Sequence, residues 1–369
     1  MNVPLARRNL LHDRSKLILS VLGVAASLTL IVLLLGFRNG LYKAITAYLD
    51  NISADLLVTK SGVQGAFTAS NLPITLHDTL GATAGVVEID HVLVGEFIFS
   101  QGNVKMPAVL VGYNIENGIG GPWKMSEGRG IQADDEVVFD ASLARKAGIN
   151  IGDKITLLNQ PFRVVGLSRE TVSWLAVYLF ISRSAAEKTL QLPGIASYYA
   201  LRLPPGSDLT AVANAIEKQF PNVEVFRPNQ KTDASVKIVA TVLDTPINLM
   251  LGISIVIGIA VMGLTAYTTI VDRMREYGVL KAVGATGEWL YRLVITETFY
   301  QAGLGFTVGT IFSYGAAQII MVLFPQFIII IYPETLALTG VIALVMSVLA
   351  ALLPIRRLGA VDPAVAFRA

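Results

Sequence analysis

Four long stretches of this chain carry no charged side chain, and they decide what it can fold into. The first runs from Leu17 to Phe37. As a helix of about 21 residues rising 1.5 Å each, it reaches about 31 Å, the depth of a bilayer's hydrocarbon core. The second is Thr245 to Val271. The third, Thr298 to Pro333, is too long for one span, and Pro325 and Pro333 bracket what reads as a short outer turn. The fourth, Thr335 to Leu353, meets Pro354, where a helix is expected to stop. Charged residues make up 15% of the chain, against about 25% in soluble domains, and 53% is hydrophobic. A water-soluble chain and a disordered one are both excluded. The first run exceeds the roughly 7–15 residues of a signal-peptide core and no small-residue cleavage pattern follows it, so it is expected to be a retained helix.

Lys and Arg near the spans set the expected orientation. Arg7, Arg8, Arg14 and Lys16 precede the first run, and Arg273, Arg275, Lys281 and Arg292 separate the second from the third. Arg356, Arg357 and Arg368 follow the fourth, while the turn between the third and fourth has neither Lys nor Arg. The positive-inside rule then puts both termini and the middle loop in the cytoplasm and residues 38–246 outside. That stretch contains short β-branched runs at 54–59, 136–139, 154–158 and 162–165, with turn signals at Gly152-Asp153 and Asn159-Gln160-Pro161. Residues 142–147 and 209–220 have helical character, so the domain is expected to be α+β.

The predicted fold class is therefore an integral membrane α-helical protein with four transmembrane helices and an α+β extracytoplasmic domain between helices one and two. Its expected organisation is a cytoplasmic amphipathic segment at 1–16, helix one at 17–37, and the outside domain with helical stalks at 38–246. Helix two follows at 247–271, a cytoplasmic coupling loop at 272–292, helix three at 293–324 and an outer turn at 325–334. Helix four at 335–353 and a cytoplasmic tail at 354–369 complete the chain. Pro246 is expected to mark the join between the second stalk and its span.

No catalytic constellation is visible. The sequence has no G-x-x-x-x-G-K-[ST] loop for nucleotide phosphates, no G-x-S-x-G elbow and no H-E-x-x-H metal helix. The absence of cysteine removes thiol catalysis and thiolate-ligated metals, and a net charge of +2 argues against a nucleic-acid partner. His77 and His91 could pair in space but are expected in solvated surface roles, and Asp134-Asp135-Glu136 is expected as a solvated turn, since it lacks the alternating oxygen ligands of a calcium loop. No catalytic residue, metal ligand or cofactor is expected in this chain.

The informative segment is Arg275-Glu276-Tyr277-Gly278-Val279-Leu280-Lys281-Ala282-Val283-Gly284 in the middle loop. Val279, Leu280 and Val283 fall on one face of a short helix, Gly284 suits a left-handed stop, and Thr286 suits the cap of the next helix. Such a helix can lie on the inner membrane surface, or it can be a peg that docks into a soluble partner. Elsewhere, Gly305 and Gly309, with Gly303 alongside, form a small-residue face for packing within the bundle or across a dimer. Glu297 is a possible membrane-embedded polar site, with Tyr267, although its nearness to Arg292 favours an interfacial pairing role.

This middle segment resembles the REIGVLKALGA signature of FtsX/MacB-type (type VII) ABC permeases. Leu5-Ala6-Arg7-Arg8-Asn9-Leu10-Leu11 resembles the family's start, and Val138 through Gly166 its outside domain. Arg356-Arg357-Leu358-Gly359-Ala360-Val361-Asp362-Pro363-Ala364-Val365-Ala366 resembles its close. Around Thr245-Pro246-Ile247-Asn248 the chain is similar to the DevC-like and haem-exporter (HrtB-like) branch, although Met250 and Met262 read as ordinary packing rather than haem ligands. The resemblance implies a homodimeric permease with no catalytic site of its own, gripped by two copies of a cytoplasmic ATPase that binds ATP and Mg. Val279, Leu280 and Val283 would be buried against that ATPase, with Arg275, Glu276 and Lys281 at the rim. Mechanotransmission to the outside domain would then expel a lipid, haem, drug or peptide, with a periplasmic adaptor and outer-membrane channel as possible further partners beside membrane lipids. The alternative is a transmembrane regulator that moves an outside hydrolase or sensor without transporting a solute. The implied location is the bacterial inner membrane.

Overall fold

The computed structural model describes residues 14–63, 70–171, 176–283, 286–324 and 327–359. The family-like amino-terminal segment, Gly284, Pro325 and the closing residues from Ala360 lie outside them, as do the side chains of Leu280, Lys281 and Ala282. The chain opens with helix α1 (Arg14–Asn51) and continues through β1 (Leu56–Lys60), β2 (Leu72–Pro73), α2 (Leu76–Gly81), β3 (Glu88–Gln101) and β4 (Val104–Tyr113). Next come β5 (Met125–Gly128), β6 (Glu136–Asp140), α3 (Ala141–Ala147), β7 (Lys154–Leu157), β8 (Gln160–Ser168), β9 (Val177–Ser182) and α4 (Arg183–Leu190). Strands β10 (Ile195–Ala196) and β11 (Tyr198–Arg202), helix α5 (Leu209–Gln219) and strand β12 (Val223–Phe226) follow. Four helices close the chain: α6 (Pro228–Asp272), α7 (Met274–Ala282), α8 (Gly287–Leu323) and α9 (Pro333–Gly359).

These elements divide into two compact units: a helical one that includes Leu243–Leu323, and a sheet unit of Leu41–Val242 with Phe324–Ile328. Among the described residues four helices are long and apolar enough to cross a membrane: Leu17–Asn51, Val239–Asp272, Gly287–Leu323 and Pro333–Leu352. They bury a seam of Val24, Leu28, Ile31, Leu35, Met262, Ala302, Ala343 and Met346, while Leu249, Val256, Ile311, Ile319 and Val341 stay exposed. Outward-facing apolar side chains are what a helix bundle shows when its solvent is lipid. One expected helix limit moves: α9 runs past Pro354 to Gly359. Helix α1 continues unbroken past Phe37 through the first expected stalk to Asn51, and α6 carries Pro246 inside it, between the second stalk and its span. A proline removes one amide donor and crowds the preceding turn, but a long packed helix tolerates it.

In the sheet unit, ten strands form one sheet in the order β12-β1-β11-β3-β4-β9-β6-β8-β5, with β7 paired to β8. The long strand β3 links two halves, because Glu88 to Val92 pairs antiparallel with β11 and Leu93 to Gln101 with β4. Helices α2 and α5 cover the first half around Leu56, Val58, Leu80, Tyr199 and Ile216. Helices α3 and α4 cover the second around Leu110, Phe139, Leu143, Leu179 and Ala186. The predicted turn at Asn159 is present as a two-residue hairpin loop, with Leu158 at φ 47° and Asn159 at φ 68° between the paired Leu157 and Gln160. The last turns of α1 enter a third core: the Tyr48 ring stacks on Tyr178 at 5.4 Å, and its hydroxyl donates to the Gly120 carbonyl at 3.2 Å.

Candidate functional site

Helix α6 breaks at Arg273, whose amide still donates to the Thr269 carbonyl at 3.2 Å, and α7 starts at once. The Tyr277 amide donates to the Arg273 carbonyl at 3.0 Å and the Val283 amide to the Val279 carbonyl at 3.0 Å, so one continuous short helix spans the loop. Thr286 then accepts from the Trp289 amide at 3.3 Å, as the start of α8 requires.

The two faces of α7 differ sharply. Val279 is 46% exposed and Val283 is 83% exposed, one turn apart on the same side, with Arg275 and Glu276 also exposed. Tyr277 lies about 200° round the helix from Val279 and is only 2% exposed. It packs with Ile270 of α6, Leu293 and Val294 of α8 and Ala351 of α9, flanked by Trp289 and Tyr291. Gly278 is buried beside it. The sequence placed Tyr277 in the coupling segment without assigning it a face; its ring faces the spans. Burial first, and then the Glu297 carboxylate, push its phenol well above the ordinary 10.0, while Arg273 opposes them. The hydroxyl has no hydrogen-bond partner among the described residues.

Glu297 is 5% exposed on α8, beside the buried Thr298 and Gln301. Its expected partner Arg292 is engaged elsewhere, with Glu288 at 2.7 Å. Tyr267 is half-buried on α6. Of the three glycines, Gly305 and Gly309 face α1: a Cβ on Gly305 would lie 2.5 Å from Val24 Cγ1, and one on Gly309 would lie 2.9 Å from the Ala25 carbonyl oxygen. Gly303 faces open space, with nothing within 4 Å of its absent Cβ. Met262 is buried in the seam and Met250 is half-exposed.

The sheet unit corrects two expectations of solvated surface roles. His91, on β3, is buried, and its ring lies 6.0 Å from that of His77 on α2 and 5.8 Å from that of Tyr199. Its Nδ1 accepts from Arg183 at 3.5 Å, and Arg183 also pairs with the buried Asp90, which accepts from Asn114 at 2.6 Å and Asn117 at 2.5 Å. Glu136, expected in an open turn, is 2% exposed and held by Arg129 at 2.6 Å and Arg163 at 3.0 Å. Hydrogen bonding from Arg129 lowers its carboxyl to about 2. Among the described residues no group of three or more His, Asp or Glu is placed to hold a metal ion.

Burial, helped by Arg183, lowers His91 from 6.5 to about 4. The folded state therefore keeps the ring neutral over a range in which the unfolded chain takes up a proton. Stability is full above pH 6.5 and declines as pH falls towards 4, by at most about 3.5 kcal/mol at about 1.4 kcal/mol per unit. Thermal melting of the full chain at stepped pH should show this slope, and His91→Gln should flatten it; an equal slope in both would remove His91 as its source.

A family model described as the MacB-like periplasmic core domain matches residues 17–219, and one described as the FtsX-like permease C-terminal matches residues 248–363. An uncharacterized ABC transporter permease of Mycobacterium tuberculosis is 24% identical over 372 residues, covering 98% of both chains. The macrolide export ATP-binding/permease protein MacB of Agrobacterium fabrum is 22% identical over 374 residues, covering 94% of this chain and 57% of that protein. The crystal structure of the periplasmic region of MacB from Actinobacillus actinomycetemcomitans aligns with a TM-score of 0.39 at 15% identity, over 49% of this chain and 92% of that one.

Proposed function

This chain belongs to the MacB/FtsX family of ABC transporter permeases, and from that premise we propose that it is the non-catalytic membrane subunit of an exporter or extractor. Its motion is driven by ATP hydrolysed, with Mg, on a separate ATPase. The two-faced α7 carries this reading: an exposed Val279–Val283 stripe for a soluble partner, backed by a tyrosine set among three spans. The absence of any phosphate-binding loop in the sequence points the same way. The chain works as a homodimer with two ATPase copies, its termini and α7 on the cytoplasmic side of a bacterial plasma membrane. Its substrate is hydrophobic or amphiphilic, taken from the bilayer or its outer face.

The test is purification of the chain with its cognate ATPase in lipid nanodiscs, followed by ATP turnover with phospholipid, haem or a hydrophobic peptide added. A P-loop ATPase should co-purify, and one of the three should raise turnover severalfold. A chain that hydrolyses ATP unaided would overturn the reading. Stimulation by an outer-surface hydrolase or sensor, with no solute active, would instead identify a regulator that passes motion outward.

A further inference from the structure

The phenol of Tyr277 is buried among Ile270, Leu293, Val294 and Ala351, with no hydrogen-bond partner among the described residues. Leaving a buried hydroxyl unpaired is a cost that a second arrangement of the helices could recover. Glu297 is buried on α8 one turn beyond Leu293, on the face of that helix that packs against the ring. Any displacement of α7 also moves a ring in contact with α6, α8 and α9 together.

We infer that Tyr277 is a positioning residue that passes displacement of α7 into the spans, its hydroxyl donating to the Glu297 carboxylate in the driven state of the cycle. This inference rests on the ATPase-dependent reading above. It goes further in assigning a specific donor and acceptor to the stroke.

The experiment uses the full chain with its cognate ATPase in nanodiscs and compares wild type with Tyr277→Phe, Glu297→Gln and the double variant. Three quantities are read: ATPase captured, chain melting temperature, and permease-dependent ATP turnover. Tyr277→Phe removes an unpaired hydroxyl from the resting state, so melting should hold or rise and capture should be unchanged. Turnover should nevertheless fall about tenfold, as expected for one hydrogen bond missing from the driven state alone. Glu297→Gln should produce a similar fall, and the double variant should be no worse than either single one. Tyr277→Phe turning over like wild type, or two falls that multiply in the double variant, would overturn the inference while leaving the ATPase-dependent reading intact. A wild-type chain that captures no ATPase would overturn both.

Discussion

Val279→Asp and Val283→Asp chains should fold normally and purify without their ATPase. Val279 lies on the open side of a 9-residue helix and Val283 is exposed directly after its last residue, so neither substitution removes a core contact. Aspartate in a helix interior costs well under about 1 kcal/mol in propensity, which melting should barely register. Docking is different, because a carboxylate pressed unpaired into a desolvated interface costs about 2–5 kcal/mol. At about 1.4 kcal/mol per tenfold, a middle value of about 3.5 kcal/mol weakens association about 300-fold. Pull-down of the ATPase at matched chain concentration reads this directly. Undiminished capture by both variants would show that this stripe is not the docking face.

Gly309→Leu should destabilise the helical unit by about 3 kcal/mol, with Gly303→Leu nearly silent. The atom that meets a Cβ at Gly309 is a backbone carbonyl, that of Ala25 at 2.9 Å, with Leu28 Cβ at 3.3 Å behind it. A carbonyl within a helix cannot rotate aside, so the two helices would have to separate. Separation also stretches the bond that the Thr29 hydroxyl donates to the Gly309 carbonyl at 3.1 Å. Small residues at such crossings allow the close approach on which packing within a bilayer depends. Thermal melting of the two variants in detergent, side by side, decides the matter. Equal melting temperatures would mean that the approach of α1 and α8 contributes little to stability.

The spans were readable in the sequence because a run such as Thr245 to Val271 can be buried in lipid without any knowledge of its neighbours. Helix limits were less legible. Pro354 is a local stop signal that α9 overrides, whereas the continuation of α1 past Phe37 was legible in the lack of a helix breaker from Arg38 to Tyr48. The strands at Glu136 and Lys154 announced themselves through β-branched residues between turns, whereas the hairpin of β3 and β4 did not draw notice despite its Gly102-Asn103 link. The His77–His91 contact joins a helix to a strand, and no local pattern encodes it. In α7 the apolar spacing identified the outward stripe. The inward role of Tyr277 follows from packing against Leu293 and Ala351, far away in the chain.

Strands β1 and β12, the first and last of the sheet unit, are antiparallel neighbours, with Leu57 opposite Phe226. The polypeptide therefore begins and finishes this sheet at one shared edge, the arrangement that lets a module be inserted into a host chain with little disturbance. Evolution can exchange such a cassette whole without redesigning the helices on either side.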